Sequence, residues 1–304
     1  MAVGLFSSES LSEKSVQKIF SRKLDSINGI QMYVGKKGEV ILFPTEYPSS
    51  INPLVRAISS VNSAVFIVNR QITGLDAELA VAIENSKIER GIVLYSVDSD
   101  MDSFSRYFRG YKVGSFEKIS LSDFSGCEET VYGPSSFKYA SIDKHFIVKG
   151  IGSVIIGFDL AGEIKKGDRM FLLPSLKEVS VKSIQVMDKD TASCLPGQHV
   201  GLALNNASQS DIESNYGVSS LNEISEDYDV SLEMSEFYKE NDIYSRDLAC
   251  AVYGNDFSLR LKKDQGGLHA RFNKKALKTT DKLLLADPSL PPGRNRVLGS
   301  IRIL

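Results

Sequence analysis

Four short, nearly unbroken apolar runs, spaced by segments of helical periodicity, constrain the fold more than anything else in the first 125 residues. They are Val3 to Phe6, "EVILF" (Glu39 to Phe43), "AVFIV" (Ala64 to Val68) and "GIVLYSV" (Gly91 to Val97). Runs this short, rich in β-branched residues and apolar on both faces, are strands buried on both sides. Between them Glu13 to Leu24, Pro53 to Val61 and Leu75 to Glu84 carry helical spacing. Strand and helix in alternation predict a mostly parallel sheet covered on both faces.

After "SGCEETVYGPSS" the pattern changes. Gly-punctuated strands follow: "HFIVKGIGSVIIGFDLAG", "DRMFLLP", "EVSVKSIQV", "HVGLAL" and the alternating "YDVSLEMSEF". A series of short strands predicts barrels or sandwiches. A second break near "SQSDIESNYGVSS" divides this half into two small domains. The expected layout is therefore an α/β domain over residues 1–130 and two β-barrels over residues 131–210 and 211–304. A chain of 304 residues is long enough for two or three such cores.

Composition excludes several function classes. An apolar share of 42% and a charged share of 24% are those of a water-soluble globular chain, and no stretch reaches membrane-span length. With no secretory signal pattern at the N-terminus, a cytoplasmic location and no membrane partner are expected. Cys127, Cys194 and Cys250 are odd in number and far apart, and His145, His199 and His269 stand in unrelated contexts. No metal site, disulfide or catalytic triad is expected from them. A net charge of −2 speaks against bulk electrostatic coating of nucleic acid. Locally, residues 211–247 hold eleven acidic residues against two basic, whereas residues 267–304 hold eight basic against two acidic. The basic tail is a candidate for phosphate contact; two solvated faces explain it equally well.

The segment "FSSESLSEKS" (Phe6 to Ser15) has the layout of a phosphate-binding loop: a strand, a loop, and Lys14-Ser15 opening a helix. Ser8 and Glu13 stand at the two glycine places of G-x-x-x-x-G-K-[ST].

This start, followed by two barrels, resembles the elongation factor Tu family of translational GTPases. "VKGIGSVIIGFDLAGEIKKGDRMFLLP" (Val148 to Pro174) is similar to the family's second-domain hairpin. "VKSIQVMDKDTASCLPGQHVGLALNN" (Val181 to Asn206) resembles the selenocysteine-specific factors and their archaeal relatives, and "DKLLLADPSLPPGRNRVLGSIRIL" (Asp281 to Leu304) the closing strands of the third domain. The glycines Gly150, Gly152 and Gly157 in the hairpin speak for tight coiling of a small barrel rather than for a ligand.

The resemblance implies GTP and Mg²⁺ as cofactors, with Lys14 at the phosphates, Ser15 at the metal and Asp98 at the guanine. The residues depart from that pattern. Ser8 and Glu13 lack glycine's freedom, and Glu13, if turned inward, would repel a phosphate at 4 Å by roughly 4 kcal/mol at an effective dielectric near 20. In place of the family's Asp-x-x-Gly-His stands "FPTEY" (Phe43 to Tyr47), with Glu46 at the glycine and Tyr47 at the water-orienting histidine. "YSVD" (Tyr95 to Asp98) replaces Asn-Lys-x-Asp and keeps only Asp98. Between the first helix and "EVILF" about fifteen residues remain, read as a hairpin with Gly35 and Gly38 near its turn, too few for a switch loop. The expectation is a phosphate loop that keeps its fold without its chemistry. Lys14 and Ser15 then merely begin a helix, the nucleotide crevice is refilled by carboxylates and rings, and no cofactor is held.

Three functions are open: a translation elongation factor-like protein that binds tRNA or the ribosome without efficient GTP hydrolysis, a GTP-dependent factor with divergent motifs, or a regulatory scaffold docking a protein partner. In the family the second barrel helps hold the aminoacylated end of a tRNA. Ser193 and Leu195 replace an acidic residue and an arginine near that place. Lys149, Arg271, Lys274, Arg294 and Arg296 are the candidate RNA contacts, together with Lys275 and Arg302.

Overall fold

The computed structural model describes residues 1–128, 135–240 and 242–304, with Lys14 described by its backbone alone. By their contacts the residues fall into two compact units: residues 131–226 with 274–278, and residues 2–130 with 227–273 and 279–304. The second unit contains the N-terminal sheet and most of the last barrel.

The N-terminal domain comprises β1 (Ala2–Phe6), α1 (Glu13–Ile19), β2 (Phe20–Ile27), β3 (Ile30–Gly35), β4 (Val40–Pro44), α2 (Asn52–Ser59), β5 (Ser63–Ile67), α3 (Gly74–Glu84), β6 (Arg90–Tyr95), α4 (Met101–Tyr107), α5 (Lys112–Ser115) and β7 (Glu117–Ser120). Its sheet runs β2-β3-β4-β1-β5-β6-β7. The five strands from β4 to β7 are parallel, and β2 and β3 are antiparallel additions. Every residue of β1 and β4 is buried, as the unbroken apolar runs require of a sheet covered on both faces. Phe66 of β5 meets Phe104 and Phe108, and this ring cluster holds α4 on the sheet.

One expected helix is cut short. α1 ends at Ile19, and Phe20 turns extended so that its ring stacks on Tyr33 at 3.9 Å. Asn28 and Gly29, at φ 47° and 75°, make the tight turn that lets β2 pair with β3. Edge pairing thus overrides the helical spacing of Phe20 to Leu24. The turn at Gly35 to Gly38, joining β3 to β4, is where the sequence places it.

The middle unit holds β8 (Tyr139–Ser141), β9 (Lys144–Val148), β10 (Gly152–Ala161), β11 (Ile164–Lys165), β12 (Arg169–Leu173), β13 (Lys177–Val186), β14 (Lys189–Thr191), β15 (Ser193–Cys194), β16 (His199–Asn205), α6 (Gln209–Glu213) and β17 (Gly217–Ser219). Six strands, β12-β17-β8-β10-β16-β13, close on themselves through the β12–β13 pairing, and β9 lies along β10. Its core is aliphatic, with Ile155, Met170, Leu172 and Leu202 at or near zero exposure. Gly157 is required by a close approach: a Cβ there would lie 2.0 Å from the Ser141 carbonyl oxygen.

A second closed barrel follows, ordered β18-β21-β20-β19-β22-β23, from β18 (Ile224–Met234), β19 (Leu248–Val252), β20 (Asn255–Asp264), β21 (Gly267–Leu277), β22 (Leu283–Ala286) and β23 (Val297–Ile303). The middle sheet takes in Gly217–Ser219, so the last barrel begins at Ile224 rather than at residue 211. Among the described residues no helix is long and apolar enough to cross a membrane.

Candidate functional site

Parallel sheets place their ligand crevices beyond the carboxyl ends of the strands. Here the loops after β1, β5, β6 and β7 enclose an open cleft of about 760 Å³. Ser15 and Asp98 both line it, so two of the three sequence-predicted nucleotide positions share one site. The third, Lys14, has its backbone in α1, and its side chain lies outside the described residues.

Ser12 caps α1. Its hydroxyl oxygen accepts from the Ser15 amide at 3.2 Å and lies 2.9 Å from the Ser15 hydroxyl. Asp98 is ion-paired with Arg70 at 2.9 Å, both partners largely exposed. Arg70 is a cleft residue that sequence reasoning missed; its signal is a cation just past the carboxyl end of a buried strand. The remaining wall is rich in hydroxyls, including Ser96, Ser99, Ser120 and Ser122. Among the described side chains the formal charges balance, Lys18 and Arg70 against Glu9 and Asp98.

The departures from the phosphate-loop pattern have specific destinations. Ser8, at a glycine place, is buried and turned to the back of the loop, where its hydroxyl donates to Asp76 at 2.6 Å and accepts from Asn69 Nδ2 at 2.8 Å. Asp76 closes the knot by accepting from the Thr73 amide and hydroxyl in a capping box that starts α3.

The crevice is not refilled, contrary to expectation. Glu13 lies outside the cleft lining, and so do Phe43, Glu46 and Tyr47. Glu46 sits against the β2–β3 turn, its amide bonded to the Gly29 carbonyl at 3.3 Å. Tyr47 is buried and donates its phenol to the Leu75 carbonyl at 2.9 Å, and burial raises its pKa far above the ordinary phenol value. The physical reason is direction: the β4–α2 segment turns toward α3 and the last barrel, so its bulky residues never enter the space left by a phosphate loop.

The candidate RNA contacts separate. Lys149 is exposed at the tip of the β9–β10 hairpin, and Lys274 lies 5.3 Å from the centre of the Tyr216 ring in the same unit. Arg271 is exposed on β21, directly across the ladder from Arg260. Lys275 is exposed as well, and Arg302 reaches the Thr280 carbonyl. Arg294 is ion-paired with Glu240 at 2.6 Å. Arg296 is no surface cation. It is 2% exposed and bonds Glu78 through its amide, Nε and Nη2, because its strand start is packed inside the unit. Leu195 is half exposed and Ser193 lies on β15. No group of three or more metal-ligating side chains occurs among the described residues.

No family model matches this sequence. An uncharacterized protein of Methanocaldococcus jannaschii is 30% identical over 176 residues, 56% of this chain and 56% of that protein. The selenocysteine-specific elongation factor of the same organism is 39% identical over 70 residues, 23% of this chain and 15% of that factor. The chain thus spans about half the length of the first relative and far less of the second. In structure it is similar to the apo form of translation elongation factor SelB from Methanococcus maripaludis, with a TM-score of 0.75 at 16% identity, over 100% of this chain and 79% of that one.

Proposed function

We propose that this chain, whose fold is that of the selenocysteine-specific elongation factors and whose sequence is in part similar to theirs, is a translation-factor-like protein that acts by binding tRNA or the ribosome in the cytoplasm, with GTP binding and hydrolysis lost or strongly weakened. The observation that carries this reading is the course of the β4–α2 segment. The cleft receives no carboxylate from it to hold a magnesium water, no amide freed by glycine, and no group to orient an attacking water. Lys14, Ser15 and Asp98 are on this reading vestiges of a nucleotide site.

RNA binding would rest on exposed cations, Arg271 first. It faces Arg260 across the ladder, and Arg260 is itself held by Asp247 at 2.6 and 2.8 Å, so Arg271 is the cation of that pair left to meet a phosphate. Lys149 and Arg294 are further exposed candidates, Lys274 is a half-buried one against Tyr216, and Arg296 is not a candidate.

Filter binding with unacylated and aminoacylated tRNA, together with ribosome co-sedimentation, tests the proposal. Retention without added nucleotide supports it. Failure to retain either at about 10 μM protein, a concentration at which even non-specific binding sets in, overturns it. A GTP-dependent factor with divergent motifs is the second reading, favoured by the open cleft that Ser15 and Asp98 share. Partners that survive nuclease treatment of a pull-down would instead favour a protein-docking role.

A further inference from the structure

Glu78 on α3 and Arg296 immediately before β23 lie 218 residues apart and are 1% and 2% exposed at their side chains. A buried ion pair is tolerated only when nearly every donor and acceptor is used. Here both Glu78 oxygens accept, Oε1 from the Arg296 amide at 2.6 Å and Oε2 from Nη2 at 2.6 Å, with Nε at 3.1 and 3.2 Å from the two. The remaining arm, Nη1, donates to the Pro48 carbonyl at 2.8 Å. The guanidinium also lies 5.4 Å from the centre of the Tyr47 ring, whose hydroxyl is bonded to Leu75 at the start of α3. One arginine of the last barrel therefore holds both α3 and the β4–α2 segment. In the same unit Arg56 pairs with Asp256 at 3.2 Å, the Gly254 amide donates to Ser59 at 3.0 Å, and Lys87 pairs with Asp281 at 3.3 Å.

We propose that Glu78, Arg296 and Pro48 form a latch that makes the N-terminal sheet and the last barrel one body, fixing the segment from Thr45 to Ile51 in a single conformation whatever occupies the cleft. The latch follows from the packing alone. It separates two properties that a switching protein couples: the cleft can gain or lose a ligand while the segment beside it stays still.

Hydrogen exchange on the full chain, read by mass spectrometry, tests this. In the wild type, amides of residues 45–51 and 295–297 exchange slowly, and addition of about 1 mM GTP or GDP with Mg²⁺ leaves them unchanged. Glu78→Gln removes one charge and raises exchange in both segments together by roughly tenfold or more, while β1 and β5 amides stay protected. Should that variant not fold, Arg296→Lys, which keeps the charge but loses the planar fork, serves the same comparison. Wild-type exchange at residues 45–51 as fast as in exposed loops, a response confined to one segment, or a nucleotide-dependent change would each overturn the latch. Calorimetry on the same samples separates this from the functional proposal: GTP binding with unmoved segments would sink the loss of nucleotide binding and leave the latch standing.

Discussion

The hydroxyl of Ser8 lies 2.6 Å from Asp76 Oδ1, so the residue at the first glycine place of the phosphate-loop pattern is tied to the start of α3. Asp76 is fully buried and accepts from Ser8, Asn69 and Thr73. The loop after β1 and the loop after β5 therefore share one carboxylate, and the cleft between them owes its shape to it.

Asp76→Ala should destabilise the N-terminal domain by about 2–4 kcal/mol, since it removes a helix cap and strands several buried donors. Asp76→Asn should cost less, because one oxygen remains to accept. Urea denaturation followed by circular dichroism measures both, and equal stability of Asp76→Ala and wild type would mean that the knot does not hold the two loops.

Asp159 in the middle barrel is fully buried, and among the described residues no donor reaches either carboxylate oxygen in hydrogen-bond geometry. Burial pushes its carboxyl up to about 8, with the nearby Cys194 thiol and the Ala161 and Ile164 amides opposing the rise only in part. A raised folded-state value means that the unfolded chain loses its proton first as pH increases. Stability from this group is therefore complete below about pH 4 and declines up to about pH 8. Asp159→Asn should stabilise the protein by roughly 1–4 kcal/mol at pH 7 and converge with wild type near pH 4. Thermal melts across that range decide it.

His269 sits between Asp229 and Asp264, with ring nitrogens 2.7 and 3.1 Å from their oxygens. Hydrogen bonds to Asp264 and then Asp229 raise its pKa above the ordinary imidazole value. The contribution to stability is present below that ordinary value and fades as pH rises through the folded-state one. NMR titration of His269 should move downward in Asp264→Asn.

Arg271→Ala should weaken tRNA retention and reduce the slope of log K against log salt by about one, as loss of a single phosphate contact does. Arg296→Ala should instead lower stability, since its partner Glu78 would be left buried and alone. An unchanged salt slope for Arg271→Ala would take β21 out of the proposed RNA contact.

Much of the architecture is legible in the residues. The buried parallel strands announce themselves because a sheet covered on both faces leaves no position for a polar side chain, and the barrel glycines mark bends. Three things are not legible. Pairing of β2 with β3 competes with a helical pattern that continues to Leu24, and only the Asn28-Gly29 turn hints at the outcome. Arg294 and Arg296 are two residues apart, yet one is on the surface and the other inside, so clustering in sequence does not mean clustering in space. Glu46 and Tyr47 occupy the right places to block a crevice and point elsewhere, because side-chain direction depends on where the β4–α2 segment packs.

Isothermal titration of the full chain with GTP and with GDP, each with Mg²⁺, measures whether the open cleft has lost its nucleotide. No saturable heat is expected up to about 1 mM, corresponding to a binding free energy weaker than about −4 kcal/mol. Saturable binding at micromolar concentration or below, abolished by Lys14→Ala, would contradict the reading of this domain as a nucleotide fold without nucleotide chemistry.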